Sequence, residues 1–465
     1  MNRGLRDDCP APRAGGARSW RVLALLALSV LAAPVPAADE DGAEPEGVPA
    51  IATSGDLITE IRFAGNRVTR EHIMRQEMVI AEGDVADPLL IERSRQAIMD
   101  LGLFTSVHAV LEPHPERGRT LVITVKEKFY VLPVPKLNRD DNNNFSVGAE
   151  LTVDNLAGLN QQLQLRYETE TADELVSEGD ITTWSFGYNY PRVGGSPWVL
   201  TTDIFQASVP AEVVSASGTE VTSLYDQETW TASVLASRWL NLRGPSRGWL
   251  VGGGVVWRRN SYEYRSGTVT DTYFEQNAVG IVGQAQFRDV RDYLFSRSGW
   301  EYGYRGEFGE PAIGADQHYS RHEFFYRRYI LLPGRPHTNI DMQAKLGLSS
   351  GEIFTGEEYA YALGGNKSLR GFDRGSFTGN AYTLLNLQYL QPLFGYNAFR
   401  GVLFLDAGNA YPSNAELHLG DIKWDVGVGF RVRVKSLVKI DLRVDAAYTP
   451  ETGEWSYFAG TKEMF

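Results

Sequence analysis

The sequence predicts an all-β transmembrane barrel of about sixteen antiparallel strands, preceded by one small α+β domain of β-α-α-β-β order. Two observations carry the barrel. Extended runs alternate apolar and polar residues with a period of two, and 47 Gly, 22 Tyr, 21 Phe and 10 Trp coexist with a negative mean hydropathy. A third is the rhythm of the connections, short and long in turn. Apolar lipid-facing residues that alternate with polar lumen residues keep the average hydropathy low, whereas a membrane helix needs about 20 consecutive apolar residues. After residue 40 no such run occurs. At 465 residues the chain has room for one small domain and a large barrel. A net charge of −13, with nothing basic concentrated along the chain, argues against nucleic acid as a partner.

The N-terminus points to export. Arg13, Arg18 and Arg21 precede an apolar run at residues 22–33, and Val35-Pro36-Ala37 offers small residues for cleavage before Ala38. Residues 1–37 therefore read as a secretory signal peptide, too short with those flanks to span a bilayer. Cys9 lies upstream of the apolar run, is not placed for lipidation and is lost on processing. The mature chain is then expected to use neither a disulfide nor a thiol site. An acidic, Pro- and Gly-rich stretch follows, and residues 38–54 read as a linker.

Residues 55–129 form the small domain. Leu57-Ile58-Thr59-Glu60-Ile61-Arg62-Phe63 is a strand with Ile61 and Phe63 on one face, closed by the turn Gly65-Asn66. Asp87 before Pro88 is a helix start, an N-cap oxygen and then a ring that needs no amide donor. Leu90, Ala97, Ile98 and Leu101 fall on one helical face, and Gly102 ends the helix. Residues 107–111 and 121–125 make a hairpin. Leu101-Gly102-Leu103-Phe104, between such a helix and such a strand, resembles the polypeptide-transport-associated (POTRA) domain. That resemblance implies a periplasmic domain that receives extended client segments or periplasmic assembly factors along a sheet edge, where unpaired N–H and C=O groups accept another strand. A rigid stalk that binds nothing is the other reading.

Residues 130–465 form the barrel. Trp184, Phe186, Tyr188 and Tyr190 share one face, with Ser185, Gly187 and Asn189 on the other. Val426, Val428, Phe430, Val432 and Val434 likewise alternate with Gly427, Gly429, Arg431 and Arg433. Such length suits a strand with lipid on one face and water on the other. Strands are expected to start near residues 128, 144, 161, 180, 197, 227, 247, 274, 299, 318, 338, 380, 400, 421, 438 and 455. Connections after even strands are mostly short. Several after odd strands are long, notably around residues 210–226 and 350–379. Short turns on the periplasmic side and long outer loops follow from a small domain that hangs inside. Tyr188, Tyr190, Trp198 and Trp300 lie near strand ends, where an interfacial girdle needs amphipathic rings. Closure joins strand one to strand sixteen. The first strand holds Pro133 and Pro135, which cannot donate to a ladder, so the seam is expected to be weakly paired and able to open laterally.

The long loop after strand eleven carries Gly364-Gly365-Asn366-Lys367-Ser368-Leu369-Arg370-Gly371-Phe372. Its Leu369-Arg370-Gly371-Phe372 resembles the signature of the BamA-like outer-membrane assembly and two-partner-secretion transporter superfamily, the bacterial surface antigens. Phe404-Leu405-Asp406-Ala407-Gly408 resembles that family's strand motif, with Asp406 two residues before Gly408. Arg288-Asp289-Val290-Arg291-Asp292 and Arg297-Ser298-Gly299-Trp300 resemble its entry to a middle strand, although Ser296 stands where proline is common. The chain ends in Phe465, as barrels read by assembly machinery do. The resemblance implies that the loop folds back into the lumen and that Arg370 pairs with Asp406 there. Arginine offers a planar fork for a carboxylate, Gly371 permits a close turn, and Phe372 packs the tip against the wall. Asp441, Arg443 and Asp445 share one face of strand fifteen and extend the network. In a wet lumen each pair contributes roughly 0–1 kcal/mol, more if partly dry, so the role is that of a latch.

Other constellations carry less. His318 and His322 share a strand face but lie about 13 Å apart, too far for one metal ion, and His337 is remote. The run Asp140-Asp141-Asn142-Asn143-Asn144 reads as a hairpin turn before it reads as a calcium site. Hydrolase, metalloprotease and nucleotide-loop motifs are absent from the sequence. The expected function is that of a Gram-negative outer-membrane barrel that inserts or translocates polypeptides into or across the outer membrane. Its partners are outer-membrane lipids and an unfolded or extended client, and no cofactor, metal or enzymatic step is implied. The alternative is a non-translocating structural or lipid-linked barrel, which a single POTRA-like domain favours. A barrel that exports a fused hydrolase is disfavoured, because the linker leaves no room for a passenger.

Overall fold

The structure, a computed structural model, describes residues 56–139, 145–171, 180–214, 221–241, 244–268, 275–351, 360–434, 436–437 and 441–460. The expected signal peptide and linker, the run at 140–144 and Phe465 lie outside these residues.

The small domain comprises β1 (Ile58–Ala64), α1 (Glu71–Arg75), α2 (Pro88–Met99), β2 (Phe104–Pro113) and β3 (Arg119–Glu127). β3 lies in the middle of its sheet, parallel to β1 and antiparallel to β2. A bulge between Ile58 and Glu60 brings Ile58 onto the face of Ile61 and Phe63, and all three are buried. The Asp87 side chain accepts from the Leu89 N–H and Pro88 opens α2, so the first turn is capped. Gly102, at φ +74°, turns the chain after the helix. Ile98 then packs on Phe104, Leu121 and Ile123, with Leu90 and Leu101 at the margin.

Sixteen strands form one antiparallel sheet. The first eight are β4 (Val131–Arg139), β5 (Phe145–Leu156), β6 (Gln161–Thr171), β7 (Asp180–Tyr190), β8 (Trp198–Val214), β9 (Val221–Trp239), β10 (Gly248–Gly267) and β11 (Gln276–Asp292). β12 (Arg297–Gly309), β13 (Tyr319–Leu331) and β14 (Asn339–Gly351) follow. A hairpin of β15 (Tyr361–Leu363) and β16 (Phe377–Gly379) then stands outside the sheet. β17 (Ala381–Leu393), β18 (Tyr396–Tyr411), β19 (Lys423–Arg433), β20 (Asp441–Thr449) and β21 (Glu454–Gly460) complete it. Strand starts fall within three residues of expectation except at β9 and β18, which begin at Val221 and Tyr396. The long loop expected around 210–226 is corrected. Pro210 pairs opposite Asp226, and the β8–β9 ladder runs on to Val214. β7 stops pairing at Ser208, so β8 has one neighbour beyond it, and a proline there leaves the sheet intact.

β10 displays the two media. Trp249, Val251, Gly253, Val255 and Trp257 are exposed on one face, while Leu250 and Val256 on the other are buried. From Trp249 to Trp257 the strand covers roughly 27 Å at about 3.4 Å per residue, a bilayer-sized band. The next outward residue, Arg259, pairs with Glu275 instead of meeting hydrocarbon. At the end nearest the small domain, Trp249, Phe287, Trp300 and Tyr302 pack edge to face, stacked or tilted at 5.5–5.7 Å, an aromatic girdle. No helix among the described residues is long and apolar enough to cross a membrane.

The two sheet ends, β4 and β21, share no ladder among the described residues. Just before β4, the Phe129 N–H donates instead to the Ser436 carbonyl at 2.7 Å, and Phe129 bridges Leu437.

The small domain is fastened to the turns beside it. Glu77 and Arg192, both buried, pair at 2.9 Å, and Arg192 also donates to the Gly244 carbonyl. Ser246 donates to Glu77 through its N–H at 2.6 Å and its hydroxyl at 3.1 Å. Asp100 accepts from the Asp292 N–H at 2.9 Å and from Arg247. Asn155 donates to the Thr69 hydroxyl, and the Arg70 N–H donates to the Gly158 carbonyl. Gly158 is required here, since an added Cβ would stand 2.0 Å from the Val68 carbonyl oxygen.

Candidate functional site

Residues 360–380, between β14 and β17, turn back against the sheet. Gly364 and Gly365, at φ +113° and +81°, start the turn, and Ser368 closes it by accepting from the Gly364 N–H at 2.8 Å. The Gly365 N–H donates to the Phe372 carbonyl at 2.7 Å, which draws residues 366–371 into a knob. Leu369 is fully buried against Leu363, Tyr382 and Leu384. The Phe372 ring meets Phe377 of the same loop at 4.9 Å, so Leu369, more than Phe372, anchors the tip on the wall.

Arg370 is 0% exposed, as are Asp406 and Asp445. Its Nε and Nη2 donate to the two Asp406 oxygens at 2.6 and 2.8 Å, a bidentate fork. Nη1 reaches Asp445 at 3.5 Å, and the guanidinium lies 3.5 Å over the Phe404 ring. Arg431 donates twice to Asp445, at 2.6 and 3.2 Å. Arg443 lies 3.6 Å from Asp445 and donates to the Asn366 carbonyl. Asp441 opens β20 opposite Arg433, and its side chain is outside the described residues. Gly408 is a point of close strand approach, where a Cβ would meet the Thr383 carbonyl oxygen at 2.5 Å.

The pair is closed off from bulk solvent. The loop caps it, and Asn386, also fully buried, donates to both Asp406 and the Ser368 carbonyl, at 2.8 and 2.7 Å. Asn386, Asp425, Arg431 and Thr449 were not singled out by sequence reasoning. The signal for two of them was present, because Asp425 and Arg431 share the polar face of β19 with Gly427 and Gly429. Thr449 donates to the Gly371 carbonyl at 2.6 Å, and a Cβ at Gly371 would stand 2.4 Å from its hydroxyl. The histidines are dispersed: His318 faces Glu310, His322 bonds Tyr304 at 2.8 Å, and His337 bonds Ser296 at 3.0 Å. Among the described residues no three His, Cys, Asp or Glu converge on a metal position.

The Omp85 superfamily domain matches residues 155–448, and the POTRA unit described as surface antigen variable number repeat matches residues 57–128. Outer membrane protein assembly factor BamA of Neorickettsia risticii (strain Illinois) is 32% identical over 78 residues, 17% of this chain and 10% of that protein. BamA of Nitratidesulfovibrio vulgaris is 34% identical over 76 residues, 16% of this chain and 10% of that protein. The matched stretch thus spans about a tenth of these curated relatives. Among solved structures, CdiB from Escherichia coli aligns with TM-score 0.58 at 15% identity, over 86% of this chain and 76% of that one. CdiB from Acinetobacter baumannii aligns with TM-score 0.56 at 13% identity, over 86% and 73%. BamA from Haemophilus ducreyi lacking POTRA domains 1–3 aligns with TM-score 0.50 at 18% identity, over 87% and 84%. These structures share the fold. The match to the larger part of the sequence identifies the chain as a member of the Omp85 superfamily, an outer-membrane barrel with a periplasmic POTRA domain.

Proposed function

We propose that this barrel inserts or translocates other polypeptides into or across the outer membrane. The POTRA domain receives an extended client segment, the seam between β4 and β21 gives way, and the Arg370–Asp406 pair holds the lumen loop in place. The observation that carries the reading is the contrast at the seam. Every other neighbouring pair of strands in the sheet is joined by a hydrogen-bonded ladder, whereas β4, with two prolines, shares no ladder with β21 among the described residues. The edge strand β2 of the POTRA domain suits an added strand, whereas the outer edge of β1 is taken by Glu82, Gly83, Asp84 and Arg75.

One observation favours the alternative, a barrel that moves no polypeptide: the POTRA domain is pinned by a buried ionic contact at Glu77 and a half-buried one at Asp100. Depletion followed by profiling of outer-membrane and surface proteins separates the two. Loss of one client without a general envelope defect supports dedicated secretion, a broad loss of barrels supports insertion, and an unchanged profile supports the alternative. We further propose that residues 1–37 are a cleaved signal peptide, residues 38–54 a linker and Phe465 an assembly signal. N-terminal sequencing of the membrane-inserted protein should begin at Ala38.

A further inference from the structure

Asp425 is the anomaly of the loop site. It lies on β19 directly opposite Asp406 of β18, is 0% exposed, and neither of its oxygens has a hydrogen-bond donor. Every neighbouring cation is engaged elsewhere. On the loop, Arg370 directs its fork to Asp406 and its remaining nitrogen to Asp445. On β19 itself, Arg431 donates to Asp445 and Gln388. On β20, Arg443 turns to Asp445 and the Asn366 carbonyl. Thr449, opposite Asp425 on that side, gives its hydroxyl proton to Gly371. Lys423, nearer the strand end, pairs with Glu451 at the surface. The Gly371 N–H approaches Asp425 without completing a bond. An added Cβ on Gly371 would stand only 2.5 Å from Asp425 Cβ, so the loop motif rests directly on this residue.

A carboxylate in that position would be a buried charge with no donor, facing a second carboxylate. The same carboxyl with a proton is no longer a buried charge and becomes a donor toward Asp406, whose oxygens also accept from the Arg370 fork, the Arg370 N–H and Asn386. We propose that Asp425 is a proton-binding positioning residue: it holds one proton, shared with Asp406, and the loop seats on the Asp406–Asp425 pair only while that proton is present. Loss of the proton sets two carboxylates against one fork, and the knob of residues 366–371 is released. The inference rests on the reading of the loop as a latch, but it concerns the position of the loop and not transport.

The test uses the full-length protein in lipid vesicles with Ala447→Cys, on the face of β20 between Asp445 and Thr449 and fully buried when the loop is seated, as sole reporter in a Cys9→Ser background. Maleimide labelling rates are compared with and without Asp425→Asn, so that the reagent's own pH dependence cancels. The ratio should be near one at about pH 6.5 and then climb by up to about tenfold per pH unit once the proton leaves, as one proton lost per loop opening requires. A ratio that stays at one up to about pH 10, or fast labelling of Asp425→Asn already at about pH 6.5, overturns the proposal. So does release by a chelator at neutral pH, which would put a metal ion between the two residues. Should Asp425→Asn fail to fold, infrared titration of the native protein decides: a buried protonated carboxyl stretch must be present at neutral pH and vanish on alkalinisation. A transport defect with an intact pH profile would overturn the functional reading and leave this inference standing.

Discussion

Arg370 acts through the carboxylate it covers. In a site closed off from solvent the removal of one partner leaves the other charged and buried, and such losses cost about 3–5 kcal/mol. Arg370→Ala should therefore expel the loop and expose residues 360–380 to protease in intact cells, with the barrel itself folded. Arg370→Lys should rescue only in part, because an ammonium cannot present a planar fork to both Asp406 oxygens. Gly371→Ala is expected to displace the knob by overpacking against Asp425 and Thr449, at about 1–3 kcal/mol, read by the same protease assay. In the POTRA domain, Glu127 accepts from three successive amides, those of Arg67, Val68 and Thr69. Burial raises its pKa, but hydrogen bonds from the Thr69 side chain and from these amides hold it below the ordinary carboxylate value on balance. The stability it contributes is thus present above the ordinary carboxylate pKa and lost as pH falls through the lowered one. Amide exchange at Val68 and Thr69 should quicken over that acid window, and Glu127→Gln should flatten the response.

At the scale of elements, ionic contacts of α1's neighbour Glu77 and of Asp100 at the end of α2 fasten the POTRA domain to the barrel, beside the buried Tyr130. Glu77→Ala strands a buried Arg192, so a loss of about 3–5 kcal/mol in docking is expected. Its measure is faster tryptic release of the domain from vesicles, with barrel strands still protected. The barrel strands were legible because an alternation with a period of two is local, as Trp249 to Trp257 illustrate. The upper part of β8 was misplaced because Pro210 reads as a breaker until the neighbouring ladder is known to have ended at Ser208. The Glu77–Ser246 contact was illegible, since 169 residues separate its partners and neither belongs to a motif.

At the scale of the molecule, the outward face of β10 requires hydrocarbon. The mature protein should stay monodisperse only in detergent or a bilayer. If it did so in plain buffer, light scattering would remove the premise of a membrane barrel. The candidate site shows the same division of legibility as the strands. Arg370 and Asp406 were marked through family resemblance, whereas Asp425 and Asn386 were two more polar residues on alternating strands. Only the register of β17, β18, β19 and β20 brings them under the loop.

The sequence by itself determined which face of each strand meets lipid and which meets the lumen, because side-chain alternation follows from the pleat and needs no partner. It also determined the count and order of the sixteen barrel strands, through turn residues that act within a few positions, but not the β15–β16 hairpin inside the long loop. Tertiary structure alone decided that Arg370 is fully buried, that Asp425 has no donor and that Glu77 fastens the POTRA domain. Burial and pairing between distant residues depend on how the sheet closes and where the loop returns, and no local pattern encodes either.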